Sequence, residues 1–157
     1  MNKIKFAQRS SVEFVEEGNN LAPKFNSEDV IPVVVTETKS GLVLMLGYMN
    51  KEALEKTILT KEAHYWSRSR KALWKKGESS GMVHKIDEIL IDDDQDSIWL
   101  KVTIEGLGAS CHVGYKSCFY RSVDSIEKDE VILNFTESEK VFDPEEVYPG
   151  IENPTKL

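Results

Sequence analysis

The sequence predicts an α+β domain of mostly antiparallel β-sheet with few helices. Three observations carry that expectation. Short runs rich in β-branched and aromatic residues recur at 31–36, 42–48, 63–69, 83–91, 97–104, 119–123 and 131–135, split by glycine- or aspartate-bearing connections. Only one stretch shows a helical period. The strand-like runs lack the intervening helices that a parallel sheet requires. At 157 residues, 30% charged and 40% hydrophobic, the chain suits one globular domain spanning 1–157, with 1–21 as an N-terminal arm and 124–157 as a C-terminal extension.

Residues 1–29 are polar and punctuated by Gly18-Asn19-Asn20 and Pro23, which reads as an irregular arm or a weak edge strand. The runs 31–36 and 42–48 flank Glu37-Thr38-Lys39-Ser40-Gly41, a short connection that predicts a hairpin. Asn50 can cap a helix over 51–59, whose Ala53, Leu54, Thr57 and Ile58 share one face. The aromatic-rich strand 63–69 should run out into a basic island, with 76–81 as a loop. Strands 83–91 and 97–104 are joined through an aspartate cluster, and Glu105-Gly106-Leu107-Gly108 is a turn. Two strands follow, and Pro144 and Pro149 mark an irregular tail.

A formal net charge of −7 argues against nucleic acid as a partner, because a phosphate backbone demands a basic footprint. No apolar run approaches the ~20 residues of a membrane span. Met1-Asn2-Lys3-Ile4-Lys5-Phe6 lacks the apolar segment of a secretory signal. A cytoplasmic protein without a membrane partner is expected, and there Cys111 and Cys118 stay thiols or bind metal.

Three segments carry chemistry. In an extended chain Asp92, Asp94 and Asp96 point to one side and Asp93 to the other. Carboxylates so placed repel one another unless a cation sits among them, and their oxygens suit Mg²⁺; the alternative is a solvated acidic turn. An EF-hand is excluded, because Ser97 and Thr103 stand where its glycine and glutamate belong. Cys111 and Cys118 are too far apart for a CxxC knuckle, so they are either buried thiols or part of a zinc site that needs another ligand. The island Arg68-Ser69-Arg70-Lys71-Ala72-Leu73-Trp74-Lys75-Lys76-Gly77-Glu78 is either a solvated edge or a site for a phosphorylated nucleotide, since arginine forks suit phosphate and an indole stacks on a purine.

The chain resembles the phosphoribosyl-AMP cyclohydrolase family in its free-standing form, over roughly residues 22–150. The resemblance rests on ordered blocks: Ile31-Pro32-Val33-Val34-Val35, Met45-Leu46-Gly47-Tyr48-Met49-Asn50, Ala63-His64-Tyr65-Trp66-Ser67-Arg68-Ser69-Arg70 and Leu73-Trp74-Lys75-Lys76-Gly77-Glu78-Ser79-Ser80-Gly81. Cys111-His112, Ser117-Cys118-Phe119-Tyr120-Arg121 and Phe142-Asp143-Pro144-Glu145-Glu146-Val147-Tyr148 follow in order.

That resemblance implies a homodimer with Mg²⁺ on Asp92, Asp94 and Asp96, and Zn²⁺ on three residues shared between chains. Two of the three match Cys111 and Cys118; Asp93 stands where the family has a third cysteine, and Val113 replaces its usual threonine. A carboxylate is an acceptable though harder zinc ligand. The implied reaction is hydrolysis of the N1–C6 bond in the adenine ring of 1-(5-phosphoribosyl)-AMP, a step of histidine biosynthesis. His112 is the expected general base or proton shuttle, with the possibility of being a ligand itself. Arg68, Arg70, Trp74, Lys75 and Glu78 are the expected substrate contacts, while His64 and an exposed His84 are left structural. The competing reading is a non-catalytic relative that still binds a phosphoribosyl nucleotide. A zinc deaminase is disfavoured, because neither H-x-E nor P-C-x-x-C occurs.

Overall fold

The computed structural model describes residues 3–157. Its centre is a four-stranded sheet in the order β2-β1-β6-β5, formed by β1 (Ile31–Glu37), β2 (Val43–Met49), β5 (His84–Ile91) and β6 (Ile98–Ile104). β1 and β2 form the expected antiparallel hairpin, as do β5 and β6, while β1 and β6 run parallel from Val33↔Ile98 to Glu37↔Val102. The α+β class with mostly antiparallel pairing therefore holds, with one parallel seam.

Alternation decides which face is buried. Ile31, Val33 and Val35 of β1 and Ile98, Leu100 and Val102 of β6 are all essentially inaccessible. They pack with Leu54 of α2 (Lys51–Thr60) and with Tyr65 of the hairpin β3 (His64–Ser67)–β4 (Ala72–Lys75). Asn50 caps α2 as the sequence predicts, its side chain accepting the Ala53 N–H at 2.9 Å, which contributes about 1 kcal/mol. On the opposite face Leu46 and Trp99, both in register with Val34, remain exposed.

The basic island is not one long loop. Its second half is β4, which turns back at Arg68–Lys71 and pairs Tyr65 with Trp74. Propensity hid this because the turn residues are charged, and Lys71, at φ 48°, takes the left-handed conformation usually left to glycine. Within the described part of the N-terminal arm, residues 3–29, the structure differs from expectation: α1 (Val12–Glu17) is a helix capped by Ser11. Within the tail, Asp143 caps a short α3 (Pro144–Val147). The hairpin β7 (Arg121–Glu127)–β8 (Glu130–Phe135) is longer than expected and stands apart, with Val123, Ile126, Val131 and Phe135 exposed.

Glu62 ties two hairpins together through ion pairs to Lys75 of β4 and Lys85 of β5. Hydrogen bonds from Lys75 and then Lys85 outweigh burial and hold its carboxyl at about 2, against an ordinary 4.5. Because the folded-state value is depressed, this clamp stabilises fully above the unfolded-state pKa and is lost as pH falls toward 2. Glu62→Gln should accordingly lower the melting temperature near neutrality, with the difference from wild type shrinking below pH ~4.5. Thermal melts across that range check it; a difference independent of pH contradicts the assignment.

Candidate active site

The aspartates cluster, but not by strand alternation. β5 ends at Ile91, and residues 92–97 form a turn in which Gln95 has φ 57°. Asp92 organises it: one carboxylate oxygen accepts the N–H groups of Asp96 (2.9 Å) and Ser97 (3.1 Å). The fold of the turn brings carboxylate oxygens of Asp92, Asp94 and Asp96 within 4.8 Å of one another. Despite burial, hydrogen bonds from Ser97 and Asp96 hold the Asp92 carboxyl below the usual range. Asp96 is pushed up, by its hydrogen bond to Asp92, by burial and by the charges of Asp92 and Asp94. Three oxygens crowded until one is driven toward protonation form a donor set suited to a hard divalent cation. Asp93 is exposed on the same turn.

The cysteines lie at the other end of the β5–β6 hairpin. Their loop is pinned at several points. The Cys118 N–H donates to Leu44 O (2.8 Å) and the Ser117 hydroxyl to Val43 O (2.7 Å). Glu137 accepts the N–H groups of Lys116 (2.8 Å) and Ser117 (2.9 Å). The turn 111–114 brings Cys111 against Cys118. The hydrogen bond from Cys118 pulls the Cys111 thiol down to about 6 against the effect of burial, while the same bond and burial push Cys118 up. Two sulfurs sharing one proton are a soft donor pair suited to zinc. No third His, Cys, Asp or Glu of the same chain joins them among the described residues.

His112 follows, with its Nε2 buried and without a hydrogen-bond partner. Burial and the charge of Lys76 lower its pKa, while a hydrogen bond with Asn153 opposes them. Such an orphaned nitrogen, on the residue after Cys111, is an acceptor or donor held ready for something the chain does not itself provide.

A cleft of about 770 Å³ opens alongside. Tyr48, Tyr65, Arg68, Arg70, Trp74 and Asn153 are among the residues that line it. Trp74 leans on Tyr65 with ring centroids 5.1 Å apart, and the Arg68 guanidinium lies 3.8 Å over the Tyr48 ring. Arg70 is held over the β3–β4 turn, its backbone N–H and its Nε each 3.3 Å from the Ser67 hydroxyl. Of the expected substrate contacts, the structure thus brings Arg68, Arg70 and Trp74 together. Lys75 points to the other face of β4 and is committed to Glu62. Glu78 is exposed on the following turn.

Sequence reasoning missed what lies between cleft and cysteines. His84 is not exposed but fully buried, with Nδ1 3.1 Å from the Tyr65 hydroxyl and Nε2 3.0 Å from the Ser110 hydroxyl. Burial, then the charge of Lys76, lowers its pKa to about 3, so it is neutral. Lys76 donates to Ser110 O at 2.6 Å and lies 5.6 Å over the Trp74 ring. Gly77 makes this possible: at φ 86° the chain passes so close to Met82–Val83 that any Cβ would meet Val83 N at 2.3 Å. The available signal was phase, since His84 sits two residues before Ile86 on a strand. His64 is satisfied locally by Glu62 O (2.8 Å).

Comparison with known proteins points the same way. A model of the phosphoribosyl-AMP cyclohydrolase family matches residues 45–120, which include the cleft strands, the aspartate turn and both cysteines. The chain is 48% identical to the phosphoribosyl-AMP cyclohydrolase of Rhodopseudomonas palustris (strain BisB5), over 91% of this chain and 96% of that one. It is 50% identical to the corresponding protein of strain HaA2, over 90% and 95%. It is also 47% identical to the phosphoribosyl-AMP cyclohydrolase of Nitrobacter hamburgensis, over 88% and 93%.

Proposed function

Because the chain belongs to the phosphoribosyl-AMP cyclohydrolase family, we propose that it hydrolyses the N1–C6 bond of phosphoribosyl-AMP with Zn²⁺ and Mg²⁺ in a homodimer. Membership makes it an enzyme of histidine biosynthesis. Among the described residues no helix is long and apolar enough to cross a membrane.

The single observation that carries the mechanism is the pair Cys111–Cys118, with the orphaned Nε2 of His112 on the residue adjoining Cys111. Zinc held by the two sulfurs and Asp93 would supply a water acidic enough to attack at neutral pH. Within one chain Asp93 and the cysteines lie at opposite ends of strands seven or eight residues long, which at ~3.3 Å per residue is more than ~20 Å. Asp93 therefore serves the sulfurs of a second chain. The exposed apolar residues Leu46 and Trp99 on the open sheet face, and the β7–β8 hairpin, supply surface for that association.

The remaining roles follow from position. Trp74, backed by the buried Tyr65, offers the purine a flat surface, and Arg68 and Arg70 take the phosphate groups at the open end of the cleft. His112 is half-buried, with its Nε2 shielded from bulk solvent. Its Nε2 accepts a proton from the attacking water and returns it to N1 as the N1–C6 bond breaks and C6 becomes a carboxamide carbon. Asp92, Asp94 and Asp96 would hold Mg²⁺, whose charge screens a phosphate or orients a ribose hydroxyl.

A direct test follows ring opening of phosphoribosyl-AMP together with metal content of protein purified without added metal. Turnover with about one zinc per chain supports the reading. Nucleotide binding without turnover or zinc would establish a non-catalytic relative instead. Asp94→Asn should weaken the Mg²⁺ dependence of activity by at least the ~10–100-fold lost when even an outer partner of a metal ligand is removed, with zinc and fold intact. Unchanged Mg²⁺ dependence would mean that the cluster is a solvated turn.

A further inference from the structure

Gln95 is out of character with its surroundings. It sits among four aspartates on an otherwise accessible turn, yet it is only 4% exposed. Both ends of its side-chain amide are used by the N-terminal arm: Oε1 accepts the Ala22 N–H at 2.7 Å, and Nε2 donates to Val15 O (2.9 Å) and Asn20 O (3.4 Å). Its backbone carbonyl accepts the Lys24 N–H at 2.7 Å. Arg9 makes a second bridge, donating from Nη1 to Ala22 O (2.6 Å) and from Nη2 to the Asp94 carbonyl (2.7 Å). The arm itself is ordered by Ser11 capping α1, whose Val15 is buried, and by Ala7 N–H donating to Leu21 O at 2.9 Å.

A turn carrying Asp92, Asp93, Asp94 and Asp96 repels itself, and apart from Asp92 it has little internal bonding to oppose that. The hydrogen bonds from the arm fix the residue between Asp94 and Asp96, and so fix the spacing of the carboxylates on either side. We propose that the N-terminal arm is a strap that positions the aspartate turn for its divalent cation, with Gln95 the positioning residue and Arg9 its second anchor. This rests on the Mg²⁺ reading of Asp92, Asp94 and Asp96. Coupling of this kind is reciprocal: if the docked arm raises cation affinity, the cation stabilises the docked arm by the same factor.

Two measurements on the zinc-loaded full-length protein test it. In the wild type, saturating Mg²⁺ should slow tryptic cleavage after Arg9, followed by mass spectrometry, by about tenfold. Gln95→Gly removes the amide while keeping a residue at ease at positive φ. It should weaken Mg²⁺ binding by calorimetry about tenfold and abolish the protection, with zinc content unchanged. Arg9→Met removes the tryptic site itself, so it is read by calorimetry alone, where it should weaken Mg²⁺ binding in the same direction and by less. Equal Mg²⁺ affinity in Gln95→Gly and wild type, or no effect of Mg²⁺ on cleavage of the wild-type arm, overturns the strap. The metal reading fails separately, if the wild type shows no Mg²⁺ binding that Asp94→Asn removes; the strap then has no cation to serve and falls with it.

Discussion

Asp93→Ala is expected to remove zinc and activity together. The two sulfurs of Cys111 and Cys118 lie together, and among the described residues no third His, Cys, Asp or Glu joins them. Without Asp93 from a second chain, a tetrahedral site keeps only two protein ligands, too few for a retained ion. Zinc should fall from about one per chain to traces, and ring opening to below ~1% of wild type. Asp93→Cys should bind zinc at least as tightly, because thiolate is the softer donor. Sharing between chains adds a sharper check. Neither Asp93→Ala nor Cys111→Ser is active alone, but mixed and re-associated they leave one intact site in each heterodimer, which should restore roughly a quarter of wild-type activity. If Asp93→Ala keeps zinc and rate, coordination by Asp93 is wrong. If the mixture stays inactive while each variant remains dimeric, the ligands are not shared between chains.

His112→Ala should cost about 10²–10⁴-fold in kcat, the usual worth of a positioned acid–base group, with zinc content and KM changed far less. The reason is the unpartnered Nε2, on a ring that burial and Lys76 favour in its neutral form, so that the nitrogen is free to accept a proton. Loss of zinc in parallel with activity would reassign His112 as a ligand. A loss of less than about tenfold with zinc retained would remove it from the chemistry.

Much of this molecule was legible in advance. The runs 31–36, 42–48 and 97–104 locate their strands because they are rich in β-branched and aromatic residues and bounded by turn residues, although burial alternates cleanly only along β6. Asn50 announced α2 because its capping bond is local. β4 was not legible: its turn is built of charged residues, and its strand is defined by pairing with β3 rather than by composition. The aspartates illustrate the same limit. Their identity marked them as candidate ligands, but alternation was the wrong reason for their clustering, since a left-handed Gln95 and the capping oxygen of Asp92 fold them into a turn.

By itself, then, the sequence determined the α+β class, the donor types and the order of the functional blocks, all properties carried by residue identity and short-range period. Only the tertiary structure decided which cations face the cleft. Lys75 is spent on Glu62 while its neighbour Lys76 turns inward to Ser110, a difference of one strand position with no signature in composition. It alone placed His84 in the core and tied the N-terminal arm to the aspartate turn across more than seventy residues of chain. Contacts so distant in sequence leave no local pattern, because the energy that selects them arises only once both partners have been brought together by the packing of everything between.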